Sequence, residues 1–453
     1  MQLGFTGKTV YVLGLGKSGR SVVRALREDG ATVWVWDEKA DAVGDFTHGD
    51  VTVMPPETMD KTAWGQVAAV IKSPGLDMRM PVLAAAMNHH VPILGDIDLL
   101  YRRAPHASYI GITGTNGKST TTALIAHVLH KAKYTVAMGG NIGVPVMDLP
   151  ILGKGGMYVL ELSSYQLETL QELQLDSAIL INLTPDHLER HGTMSGYLDA
   201  KMNIFKRCKP TATKVMGIDH VLTRAAATSV GAQTVLMMAT AEATNIPAHY
   251  RIGRDGKLRH QGEQVANLKA VANLPGPHNW QNLTCAMLAV EPWLDHADFL
   301  KHATTFVPLP HRMEPVRTMG TITFVNDSKA TNAESTIPAL HSYSNVYWIV
   351  GGKPKAEGIT PCLPHLANVR GAFAIGEAAA AFAKELKPHV PVTVSKTMDV
   401  AVHDATHAAR QAVASGDADA VVLLSPACAS FDQFDNFEHR GDTFASLCKA
   451  LKE

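Results

Sequence analysis

The chain has 453 residues, 46% of them hydrophobic and 18% charged, and its formal net charge is −1. Such a length suggests about two to four domains, and near-neutrality gives no electrostatic footprint for nucleic acid or an anionic membrane. No apolar run approaches the ~18 residues of a membrane span, and the first residues lack a signal-peptide pattern. The five cysteines, at 208, 285, 362, 428 and 448, show no CxxC spacing, so a reducing cytoplasm is expected and a zinc site or disulfide framework is not.

In chain order, ThrValTyrValLeuGly (9–14) reads as a buried strand, a helix follows from about Ser18 to Glu28, and ThrValTrpValTrpAsp (32–37) is a second strand. Strand, helix, strand is the signature of a parallel sheet. Between them, Gly14-Leu15-Gly16-Lys17-Ser18-Gly19 opens the helix, and Asp37 closes the next strand. This fits a pyrophosphate at a helix N-terminus, as in dinucleotide sites. NAD(P), a UDP-sugar and a purely structural turn all satisfy it. Ser73-Pro74-Gly75 ends a further apolar run, either as a ligand-facing loop or as a plain β-turn.

The next block carries Gly-Ile-Thr-Gly-Thr-Asn-Gly-Lys-Ser-Thr at 111–120, after the strand-like TyrIleGlyIle and before the helical ThrAlaLeuIleAlaHisValLeu. Backbone N–H groups of such a loop cradle phosphates, Lys118 reaches the β- and γ-phosphates, and the Ser119 hydroxyl suits Mg²⁺. Ile112 stands where the generic pattern has glycine. Glu161 and His187 follow strands and should share the carboxyl edge of one parallel sheet with that loop, where both are plausible Mg²⁺ neighbours. Lys201, mid-helix in TyrLeuAspAlaLysMetAsnIlePhe, reads by itself as a snorkelling surface lysine. Residues 212–272 read as strands and turns, with a polar hairpin over 251–262. A helix opens after Asn279, where His278-Asn279-x-x-Asn282 offers either purine-reading amides or plain caps. ValProLeuPro (307–310) reads as a linker. A third block has strands at 322–326, 346–351, 372–375 and 420–424. The fold class expected is α/β in three domains: a Rossmann-like domain over 1–97, a P-loop ATPase-like domain with a parallel sheet over 98–307, and a second Rossmann-like domain over 308–453.

Taken together, Gly-Thr-Asn-Gly-Lys-Ser-Thr (114–120), Gly-Gly-Asn-Ile-Gly (139–143), Glu-Leu-Ser-Ser (161–164), Asp-His-Leu-Glu-Arg-His-Gly (186–192), Pro-His-Asn-x-x-Asn (277–282) and His-Arg-Met-Glu (311–314) resemble the Mur ligase family. Its members are ATP-dependent amide-bond-forming enzymes of bacterial cell-wall synthesis. The first-domain glycine pattern, Asn-Asp-Ser-Lys-Ala-Thr-Asn (326–332) and Leu-Ser-Pro-Ala-Cys-Ala-Ser-Phe-Asp-Gln-Phe (424–434) resemble the branch that adds D-glutamate. The Asp-Asn-Pro-Arg motif of the diamino-acid-adding branch is absent from the sequence.

The resemblance implies UDP-N-acetylmuramoyl-L-alanine, D-glutamate and ATP as substrates, Mg²⁺ as cofactor, and a cytoplasmic monomer that meets neither nucleic acid nor membrane. It implies UDP rather than NAD at Lys17 (through its backbone), Ser18, Asp37 and Gly75, with Asn141 near the muramoyl part. ATP falls to Gly114, Thr115, Asn116, Gly117, Lys118, Ser119, Thr120, Asn279, Asn282, Arg312 and Asp327. Metal falls to Ser119, Glu161, His187 and a carbamylated Lys201, so that Lys118, His187 and Lys201 form the catalytic set. D-glutamate falls to Lys329, Thr331, Lys355, Ser430, Phe431 and Phe437; Lys353 competes with Lys355, and spacing favours the latter.

Overall fold

The structure is a computed structural model that describes residues 3–44, 51–237, 246–355, 358–416 and 419–452. It divides into two compact units, Met1–Phe306 and Val307–Glu453. Among the described residues the first unit holds two sheets and the second holds one.

The first sheet consists of β1 (Thr9–Leu13), β2 (Thr32–Trp36), β3 (Val51–Val53), β4 (Val67–Lys72) and β5 (Ile93–Leu94), in the order β3-β2-β1-β4-β5. All neighbours are parallel. Strand order reverses between β1 and β4, and such a switch point opens a crevice at the carboxyl ends of the strands. The helix Lys17–Glu28 follows β1 and buries Val22, Val23, Ala25 and Leu26.

The second sheet holds β6 (Ser108–Thr113), β7 (Thr135–Gly140), β8 (Gly156–Glu161), β9 (Leu175–Leu180), β10 (Cys208–Gly217), β11 (Gln233–Met237), β12 (Tyr250–Ile252), β13 (Lys257–His260) and β14 (Glu263–Asn267). Its order is β14-β13-β12-β11-β10-β9-β6-β8-β7, parallel up to β12 and antiparallel through β12–β14. Central β6 is buried along nearly its whole length, as a strand covered on both faces must be. One hydrophobic core runs from Val10 of the first sheet and Val22 of the helix beside it to Leu160 and Leu175 of the second sheet. The helix Asp96–Arg103 joins the two, its buried Asp98 carboxylate accepting from the backbone N–H groups of Gln171, Glu172 and Leu173.

The third sheet, in the second unit, holds β15 (Glu314–Met319), β16 (Ile322–Asn326), β17 (Val346–Gly351), β18 (Val369–Ile375), β19 (Val392–Lys396) and β20 (Ala420–Leu424), in the order β15-β16-β20-β17-β18-β19. Only β15 runs antiparallel to its neighbour.

Two local expectations need correction. Residues 212–272 are not all strands and turns, because Val221–Val230 is a helix. His220 caps it by accepting from Leu222 N–H, and Gly231, at φ 62°, ends it. Weakly periodic AlaAlaAlaThrSerVal hides that helix, although a glycine just past its end is a stop signal. The later helix opens at Pro277, before Asn279, since a proline in the first turn forgoes only an N–H that has no helical partner.

Candidate active site

The loop after β6 is held open by specific contacts. Gly117 sits at φ 82°, and a Cβ there would overlap Asn282 Oδ1, so glycine is required on both conformational and steric grounds. Asn182, past the end of β9, clamps the loop: its carbonyl accepts from Thr115 N–H at 3.1 Å and its Oδ1 from Asn116 N–H at 2.9 Å. The Thr115 hydroxyl bonds both the carbonyl and the N–H of Thr184. Ser119 and Thr120 begin the helix Lys118–Lys131 and are buried. Asn282 is buried and donates to Asn279 Oδ1 at 3.3 Å, while Asn279 donates to the carbonyl of Pro275. Asn279 therefore acts within its own helix start, and Asn282 faces the phosphate loop.

Lys201 is not a surface lysine. It is 1% exposed, donates to the Gly114 carbonyl at 2.9 Å, and lies 4.3 Å from the centre of the Tyr197 ring. Burial first, then the nearby Lys118 charge, hold its amine well below the usual lysine range. The helix Met194–Lys206 that carries it packs under the loop, a placement its local sequence does not encode.

Glu161 ends β8 and is 2% exposed; its Oε1 accepts from Asn141 at 3.0 Å, and its buried Oε2 has no hydrogen-bond partner. An orphaned buried carboxylate oxygen is costly unless a cation or proton meets it. His187, at φ 54°, is 36% exposed and its Nδ1 lies 2.9 Å from the Tyr165 hydroxyl. Among the described residues no three His, Cys, Asp or Glu converge as a metal cluster. Oxygen donors from Ser119 and Glu161 with the His187 imidazole would suit a hard divalent cation only if another oxygen donor joined them.

At the switch point of the first sheet, Asp37 accepts from Leu15 N–H at 2.6 Å and from Lys39 N–H at 2.9 Å. Ser73 Oγ donates to the Gly14 carbonyl at 2.8 Å, which ties the glycine turn to the Ser73-Pro74-Gly75 turn. Lys17 and Gly75 are exposed, and Ser18 is half-buried. Two charged groups behind these turns were not singled out from the sequence. Lys72 is buried, donates to the Pro74 carbonyl at 3.3 Å, and is pushed down to about 8 by burial. Asp96 is buried with Oδ1 unpartnered, and burial pushes its carboxyl up to about 6. A lysine closing the apolar ValAlaAlaValIle was the visible signal for the first.

In the second unit Asp327 is buried, accepting from Ser425 Oγ at 2.7 Å and from Met313 N–H at 3.2 Å. Burial pushes its carboxyl up to about 7 against those bonds and the Arg312 charge. Lys329 Nζ sits 3.7 Å from the centre of the Phe437 ring. Thr331 and Lys355 are half-buried, Ser430 is buried, Phe431 is 70% exposed and Lys353 is exposed. Fully buried Arg440, missed from sequence, donates to Ser328 Oγ and to the carbonyls of Ser328, Cys428 and Ala429. It draws the 326–332 and 424–434 segments together.

Three domain profiles match the chain: "Mur ligase MurD-like, N-terminal domain" at 8–95, "Mur ligase middle domain" at 112–290 and "Mur ligase, glutamate ligase domain" at 311–428. The UDP-N-acetylmuramoylalanine–D-glutamate ligase of Rhodospirillum rubrum is 41% identical over 460 residues, covering 99% of this chain and 95% of that protein. The chain belongs to the Mur ligase family. A ligase of the same name from Paramagnetospirillum magneticum is 41% identical over 458 residues, covering 99% of this Mur ligase and 97% of the relative. The fold is shared with the solved UDP-N-acetylmuramate-alanine ligase MurC of Thermotoga maritima, at TM-score 0.60 and 17% identity over 98% of this chain and 100% of that one. The middle-domain match in this Mur ligase spans the phosphate loop, Glu161, His187, Lys201 and Asn282. The glutamate-domain match spans Arg312, Asp327, Lys329, Thr331 and Lys355 and ends before Ser430.

Proposed function

We infer that this Mur ligase joins D-glutamate to the L-alanyl carboxylate of UDP-N-acetylmuramoyl-L-alanine, with ATP converted to ADP and phosphate, in peptidoglycan precursor synthesis. The observation that carries this reading is the 41% identity to D-glutamate ligases over 99% of the chain. A substrate carboxylate oxygen attacks the γ-phosphorus, ADP leaves, and the resulting acyl phosphate is attacked by the D-glutamate nitrogen with loss of phosphate. Under this reading the turns at 14–19 and 73–75, with Asp37, hold UDP, and Asn141 meets the muramoyl part. The loop 114–120 and Lys118 hold the ATP phosphates, and Asn279, Asn282, Arg312 and Asp327 are further ATP contacts.

Mg²⁺ would be held by Ser119, Glu161 and His187, where it would offset charge on the transferring phosphoryl group. The unpartnered Glu161 Oε2 supports that assignment. Buried Lys201 fits a lysine carbamylated by CO₂: its neutral amine is the reactive form, and the product supplies the missing anionic oxygen. D-glutamate would meet Lys329, Thr331, Lys355, Ser430, Phe431 and Phe437. We propose further that the enzyme works as a cytoplasmic monomer; among the described residues no helix is long and apolar enough to cross a membrane.

The test is ADP release measured with each substrate omitted in turn, and mass spectrometry of the product. ADP release requiring both UDP-N-acetylmuramoyl-L-alanine and D-glutamate is the expected result. Tight NADH binding without UDP-substrate binding would return the first domain to a dinucleotide role.

A further inference from the structure

We propose that Arg190 is a positioning residue that fixes the His187 loop onto the Ser73–Asp77 turn, with Tyr165 setting the His187 ring. The proposal rests on the functional reading above, which places the UDP substrate at that turn and a divalent cation at His187. Three residues beyond His187, the Arg190 guanidinium donates to Glu168 Oε2 at 2.7 Å and to the Leu76 carbonyl at 3.1 Å, and lies 3.2 Å from Asp77 Oδ2. These acceptors come from both layers of the first unit. Leu76 and Asp77 belong to the turn after β4 of the first sheet, and Glu168 follows the short helix after β8 of the second. The Arg190 side chain is 11% exposed and Glu168 is 18% exposed.

Tyr165 completes the connection. Its ring lies 5.2 Å from the Arg190 guanidinium carbon and packs against His191 at 5.7 Å, and its hydroxyl is 2.9 Å from His187 Nδ1. His191 is itself held by Ser164 Oγ at 3.0 Å. His187 needs such support because its backbone sits in the left-handed region, at φ 54°, where a side chain is strained. A hydrogen bond to one ring nitrogen fixes the orientation of the imidazole, a device that typically matters about 10–100-fold for a metal ligand. A forked guanidinium imposes geometry on its acceptors in a way that a lysine ammonium does not. One residue thus sets the uridine-diphosphate turn and the metal edge in a common register.

Two conservative variants test this, Tyr165→Phe and Arg190→Lys, each compared with the wild-type enzyme. The readouts are Mn²⁺ affinity by electron paramagnetic resonance with a non-hydrolysable ATP analogue, KM for UDP-N-acetylmuramoyl-L-alanine and for D-glutamate, and melting temperature. Tyr165→Phe keeps the ring and should weaken Mn²⁺ about tenfold while leaving the UDP-substrate KM unchanged. Arg190→Lys keeps the charge and should weaken Mn²⁺ and raise the UDP-substrate KM together, each about tenfold, with the D-glutamate KM unchanged. Wild-type values of both parameters in Arg190→Lys, or wild-type Mn²⁺ affinity in Tyr165→Phe, would overturn the proposal while the ligase reading stands. A wild-type enzyme that releases no ADP when the UDP substrate and D-glutamate are both present would overturn the ligase reading itself.

Discussion

Lys118 and Lys201 donate to one acceptor: their terminal nitrogens lie 3.0 and 2.9 Å from the carbonyl oxygen of Gly114. Two ammonium groups on one carbonyl repel, and the buried member of the pair gives up its charge more readily. Lys118 also reaches the Thr115 carbonyl at 2.7 Å. Lys201 is enclosed, and the fold favours its neutral amine.

That pairing predicts the behaviour of Lys201→Ala. The variant should lose on the order of 10²-fold or more in ADP release, as when one preorganised electrostatic group is removed. Formate or acetate should restore part of the rate by supplying the oxygen that a carbamate would provide. Full activity in Lys201→Ala would leave Lys201 a packing residue only.

Gly117→Ala should damage the phosphate loop specifically. The backbone at φ 82° and the overlap with Asn282 Oδ1 both act against a side chain. A stability loss of about 1–3 kcal/mol is expected, with weaker binding of an ATP analogue and unchanged binding of the UDP substrate. Thermal melting and calorimetry measure the two effects; unaltered nucleotide affinity would contradict the loop geometry.

Asp327 makes the second unit sensitive to pH. Its carboxyl titrates at about 7 in the fold and at about 3.9 in an unfolded chain. The folded state therefore binds the proton more tightly. This stabilisation is fully present below about pH 4, and it is lost as pH rises through about 7. The upper bound is roughly 4 kcal/mol at ~1.4 kcal/mol per pH unit. Asp327→Asn should flatten the pH dependence and protect β16 amides from hydrogen exchange at pH 8 relative to wild type, with less difference at pH 5. Identical exchange profiles for the two proteins would remove the burial effect.

Lys329, resting 3.7 Å from the centre of the Phe437 ring, should govern amino-acid use. Lys329→Ala is expected to raise the D-glutamate KM at least about tenfold, the scale of a lost charged hydrogen bond, with little change in the UDP-substrate KM. Across an amino-acid panel, D-glutamate should be accepted and L-lysine, meso-diaminopimelate and L-alanine refused. L-lysine and L-alanine lack the second carboxylate and leave site donors unpaired, and meso-diaminopimelate spaces its two carboxylates farther apart and brings a second ammonium to a site lined by lysines. Mass spectrometry of products decides it; preference for a diamino acid would place the enzyme in another branch.

Several features were legible because their causes are local. The run of apolar residues ending at Thr113, the glycines at 114 and 117 and the helix beginning with Lys118-Ser119 lie within a few residues of one another, so the chain itself specifies strand, loop and helix. Alternation of strands and helices likewise specified parallel α/β layers in advance. The helix Val221–Val230 escaped because its short, alanine-rich pattern is weak, although its caps are ordinary.

Other features depended on which distant segments meet. The sheet order β9-β6-β8-β7 puts Glu161 beside Asn141 and places both near the phosphate loop, yet helical crossovers let parallel strands pair out of sequence order. Lys201 looked like a surface residue because its own helix contains nothing that covers it. The covering group is a carbonyl 87 positions earlier. Arg440 and Arg190 likewise acquire meaning only from acceptors on remote loops. Sequence determined the elements and the chemical groups they carry, since those follow from neighbouring residues. Tertiary structure alone decided which groups are buried and paired, because desolvation and hydrogen bonding depend on what lies nearby in space.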